Sequence, residues 1–118
     1  MGRTIEDVIV TGRDMKELRD EVSVWMSEEG ISVLEKREDF FKGRLGAPGG
    51  LGLTAAKYFE VTLKPNDKGV LVHTEGWIGV YGLREQSFSK KAFFGGIPRR
   101  KGWKVMEKLW NKLKAMQK

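Results

Sequence analysis

Apolar positions along this chain alternate between a spacing of two and a spacing of three to four, and each switch marks an element. Thr4 to Val10 carries Ile5, Val8, Ile9 and Val10 and predicts a first strand, broken by Gly12. Asp14 is then a good helix N-cap, with Glu17 three residues on at capping-box spacing. Met15, Leu18, Val22, Trp25 and Met26 fall on one helical face, and Gly30 supplies the stop, so a helix is predicted over 14–29. Beyond Gly30 the period becomes two. Ile31, Val33 and Glu35 are predicted on one side of a strand, with Ser32, Leu34 and Lys36 on the other. Arg37-Glu38-Asp39 reads as a turn, Phe40 to Leu45 as a strand, and Gly46 to Gly52 as a glycine-rich loop. From Lys57 to Lys64, Phe59, Val61 and Leu63 oppose Tyr58, Glu60 and Thr62. Pro65 to Gly69 has hairpin-turn composition. Val70 to Tyr81 is the longest strand. Val70, Val72, Thr74, Ile78 and Val80 share one face, and Leu71, His73, Glu75, Trp77 and Tyr81 the other. Gly76 and Gly79 predict a bulge or bend within it. A long connection over 82–98, anchored by Phe88, Phe93 and Phe94, leads to a last helix starting near Pro98 or Gly102. Trp103, Met106, Leu109, Trp110 and Leu113 form its apolar stripe, and Lys101, Lys104, Lys108, Lys112 and Lys118 its wet side.

The order β-α-β4-α predicts an α+β fold. Its strands form a curved antiparallel sheet, and two helices pack on the apolar face, the last long and amphipathic. At 118 residues the expectation is a single domain over 1–118. The chain has no cysteine, which excludes disulfides and thiolate metal sites; no cofactor or metal is expected. No run reads as a signal peptide or membrane span, so a soluble cytoplasmic protein is expected. Asn and Gln total four against abundant Lys, Arg and Glu, a balance that leans toward a thermophile.

Charge changes the picture more than composition does. The net charge is +6, but residues 1–83 carry 11 Lys/Arg against 14 Asp/Glu, whereas residues 84–118 carry 11 against 2. This asymmetry points to an anionic partner or to a solvated helix face. Arg99, Arg100 and Lys101 stand at the predicted start of the last helix, where the macrodipole prefers Asp or Glu. With Lys104, and with Lys90 and Lys91 nearby, they form a candidate anion-binding set for which nucleic acid is the natural partner. An acidic membrane surface is the other anionic candidate.

Two further candidates compete with that one. His73 and Glu75, two apart on one strand face, could do acid–base work beside Tyr58 and Glu60. The loop Gly46-Ala47-Pro48-Gly49-Gly50-Leu51-Gly52, followed by a strand and Lys57, resembles that of helix-grip proteins of the START and Bet v 1 type. The chain departs from them in length, in having four strands rather than six between its helices, and in one helix where they have two. The element order is equally similar to that of TATA-binding-protein-like domains. The helix-grip resemblance implies an apolar small molecule held between sheet and last helix, with Leu51, Leu53, Trp77 and Tyr81 near the pocket. Three expectations therefore stand: a non-enzymatic binding domain for an anionic partner, a carrier of an apolar ligand, and an enzyme using His73 and Glu75. An open sheet also leaves two edges through which a symmetric dimer could form.

Overall fold

In the computed structural model, which describes residues 2–46, 55–79, 85–90 and 96–117, the chain runs β1 (Thr4–Thr11), α1 (Met15–Glu28), β2 (Ser32–Lys36), β3 (Phe40–Leu45), β4 (Ala56–Pro65), β5 (Gly69–Gly79) and α2 (Gly96–Met116). The strands form one antiparallel sheet in the order β1-β5-β4-β3-β2, so β1 and β2 are its edges. This is the predicted β-α-β4-α order in the α+β class. Such a sheet with two helices is compatible with a helix-grip-like arrangement. Among the described residues no helix is long and apolar enough to cross a membrane.

Local signals set the element ends. Asp14 accepts a hydrogen bond from the Glu17 backbone N–H at 2.9 Å, and the Glu17 side chain reaches back to Asp14 N, completing the capping box. Gly30 takes φ 72°, the left-handed conformation that closes a helix without a Cβ penalty. In the β4–β5 hairpin the Asn66 carboxamide oxygen accepts from Lys68 N and Gly69 N, each at 2.9 Å.

Alternation then sorts residues onto two faces. The inner face carries Phe59, Val61 and Leu63 of β4, Val70, Val72, Thr74 and Ile78 of β5, and Val8 and Val10 of β1, all buried. Both helices pack on this face. α1 contributes Leu18, Val22, Trp25 and Met26, and α2 contributes Val105, Met106, Leu109, Trp110 and Leu113. Burial of each large side chain is worth about 1.5–3 kcal/mol, which makes α2 a core element. Buried polar atoms tie the layers together. Trp25 Nε1 donates to Val105 O at 2.8 Å, and Trp110 Nε1 donates to Thr74 Oγ1 at 2.9 Å.

Three strand-level expectations are corrected. Val33 and Glu35 do not share a face, because the β2–β3 register shifts between them; Val33 pairs with Gly43 and Glu35 with Lys42. Gly76 and Gly79 mark no bulge, since β4 and β5 pair without interruption from Ala56–Gly79 to Pro65–Val70. They mark close approach instead: a Cβ on Gly76 would lie 2.2 Å from the Phe88 ring, and one on Gly79 2.6 Å from the Tyr58 ring. The last helix also starts earlier than predicted, at Gly96, with Pro98 in its first turn, where a missing N–H is tolerated.

Candidate functional site

Because α2 begins at Gly96, the basic triplet lies inside the helix and its members diverge by about 100° each. Arg99 turns toward the 85–90 segment. Its Nε donates to Ser87 O at 2.8 Å, and its carbonyl accepts from Ser89 N at 3.2 Å. Lys101 shares its helical face with Lys108 and Lys112, seven and eleven residues on. Those two pair with α1: Lys108 with Glu29 at 3.4 Å, and Lys112 with Glu28 at 3.0 Å and Glu21 at 3.5 Å. Exposed pairs of this kind stabilise little. They do neutralise positive charge on that flank of the helix.

Arg100 falls on a different face, in line with Trp103, Lys104 and Glu107 at spacings of three, four and seven. Lys90 approaches from the preceding segment, and together these five residues line a partly open groove of about 360 Å³. The Lys90 ammonium lies 5.6 Å above the Trp103 ring and 3.7 Å from the Glu107 carboxylate. The Trp103 indole packs edge-on against Trp110, at 5.2 Å between centroids. Its Nε1–H is buried and has no hydrogen-bond partner among the described residues. Of the six basic residues singled out from the sequence, the structure brings together Lys90, Arg100 and Lys104. It directs Arg99 and Lys101 elsewhere, and Lys91 lies outside the described residues.

The outer face of the sheet carries a separate ionic network. Arg3 is bonded to Glu85 through two of its nitrogens, at 3.0 and 3.1 Å, and pairs with Glu75 at 3.2 Å and Glu60 at 3.3 Å. Glu60 and Glu75 are direct cross-strand neighbours, so Arg3 offsets a repulsion that would otherwise weaken the β4–β5 pair. His73 sits between Asp7 and Glu75, with Nδ1 on Asp7 and Nε2 2.7 Å from Glu75. The hydrogen bond to Glu75, seconded by Asp7, raises the imidazole pKa above its ordinary value against the opposing effect of burial. The same bond, seconded by Arg3, holds the Glu75 carboxyl below its ordinary value. Both ring nitrogens are thus engaged, and His73 links Asp7 of β1 to Glu75 within β5.

Trp77 belongs to this outer face as well. It stacks on Tyr58 at 5.6 Å, and the Arg3 guanidinium lies 3.7 Å from its ring centroid. The expectation that it lines a space between sheet and α2 is corrected, because odd positions of β5 point away from that helix. Leu51, Leu53 and Tyr81 lie outside the described residues. Between sheet and α2 the ring of Phe88 is wedged, 5.4 Å from Phe59 and directly against both Gly76 and Gly102.

One buried group escaped the reading of the sequence. Lys57 lies on the inner face between Leu45 and Ile78 and is 5% exposed. The signal was its parity with Phe59, Val61 and Leu63, overridden by the usual preference of lysine for water.

The chain matches no protein-family model and no curated protein at a significant level.

Proposed function

We propose that this chain is a non-enzymatic binding domain for nucleic acid, engaged through the groove beside the first half of α2. The observation that carries the reading is the convergence of Lys90, Arg100 and Lys104 around the Trp103 indole. Cations beside an aromatic ring suit a single strand, whose phosphates take the charges while a base meets the ring. Ion pairs to α1 neutralise lysines on the opposite flank of the helix. The first turn of α2 contains no acidic residue.

The test is fluorescence anisotropy with a short labelled single-stranded oligonucleotide across a salt series. Binding is expected to weaken steeply as salt rises. The double variant Arg100→Ala/Lys104→Ala is expected to flatten the log–log salt slope by about 1.4, the loss of two single-strand phosphate contacts. An unchanged slope, or binding only to anionic lipid vesicles, would overturn the reading.

A further inference from the structure

Lys57 presents a problem that the rest of the fold does not solve. Its neighbours on the inner face are Leu45 and Ile78 across the strands and Phe59 along its own. Its Nζ donates to Ala55 O at 3.0 Å. All sixteen Asp and Glu residues of the chain lie within the described residues. None of their carboxylates is within ion-pair distance of Lys57. The charge that acts on it is another cation, Lys101 of α2. Burial first, and Lys101 second, lower its pKa below the ordinary lysine value. A buried ammonium without a counterion is costly, and an apolar side chain at this inner position would carry no such cost. A bound anion would remove the cost.

We propose that Lys57 anchors a second site, under the start of α2, that takes a small organic carboxylate. A single ammonium among apolar neighbours matches a single negative charge on an apolar body. A phosphate dianion would need further donors around it. The site does not depend on the nucleic-acid reading, whose cations lie on the outward side of α2.

Thermal melts of the full chain in sodium hexanoate, in sodium phosphate, and in sodium chloride at matched ionic strength test the proposal. Hexanoate is expected to raise the melting temperature of the native chain above its value in chloride, as any ligand specific for the folded state must. Lys57→Met is expected to melt higher than the native chain without ligand and to lose the hexanoate response. Lys57→Gln keeps a donor for Ala55 O without the charge and is expected to lose the response too. Both variants keep their oligonucleotide binding, and Arg100→Ala/Lys104→Ala keeps its hexanoate response, so either proposal can fail alone. The site is refuted by the absence of a hexanoate shift in the native chain, or by an equal shift in both Lys57 variants. A shift in phosphate but not in hexanoate refutes the carboxylate assignment.

Discussion

Truncating Phe88 to alanine is expected to destabilise the fold by about 3–5 kcal/mol. The ring is 3% exposed and fills the space between two glycines, one on the sheet and one on the helix. Neither Gly76 nor Gly102 has a side chain that could move in, so the cavity would persist and the cost should fall in the upper part of that range. The same residue fixes a strap. Phe88 N donates to Thr4 Oγ1 at 2.8 Å, and two residues earlier Gln86 bridges Ile78 of β5. Loss of the ring removes the packing that seats this strap beneath Arg99. Urea denaturation followed by tryptophan fluorescence should show a large drop in midpoint. Because a domain of this size has about 5–15 kcal/mol in total, partial unfolding in buffer is within reach. A midpoint equal to that of the native chain would mean that the wedge does not join sheet and helix.

The second large effect is expected at Trp110. Trp110→Ala should cost about 3–5 kcal/mol, since the indole is buried against the sheet and meets Trp103 edge-on. Its Nε1–H donates to Thr74 Oγ1, and that hydroxyl donates to Glu6 O at 2.7 Å, so one chain of hydrogen bonds links α2, β5 and β1. Trp110→Phe keeps an aromatic ring in the core and removes the donor with part of the indole's volume, for a smaller expected cost of about 1–3 kcal/mol. Chemical denaturation of the pair separates packing from hydrogen bonding. Equal losses in the two variants would contradict the division.

What the residues announced and what they concealed follow one physical rule. Features set within a few residues were legible: the Asp14–Glu17 capping box, the Gly30 stop and the Asn66 turn all stand where local chemistry predicts them. The β-α-β4-α order was legible too, because each element must bury its own apolar positions. Features set by a distant neighbour were not. Gly76 suggested a bulge or bend; the pairing shows no bulge, and Phe88, twelve residues later in the chain, presses on it where a Cβ would stand. The extra residue of β2 is visible only against the register of β3. The resemblance set Trp77 near a pocket between sheet and last helix, but Arg3 and Tyr58 cover it on the outer face. The basic triplet was conspicuous as a run, and helical geometry then dispersed it. Arg100 alone joined the groove, in the company of Lys104 and of Lys90 from another segment. Lys57 was hidden by its type, although its position in the alternation pointed inward.

The four tryptophans allow the central claim to be tested within one experiment. Trp25 and Trp110 donate their indole N–H groups to Val105 O and Thr74 Oγ1, Trp77 lies under Arg3 on the outer face, and Trp103 borders the groove with its N–H unpartnered among the described residues. Titrating a short single-stranded oligonucleotide into nitrogen-15-labelled protein at low salt, and following the four indole resonances, reports on all these surfaces together. Binding in the groove is expected to give a saturable shift of the Trp103 resonance, with Trp25 and Trp77 nearly still. A shift at Trp77 with Trp103 unmoved, or no shift at any indole, would contradict it.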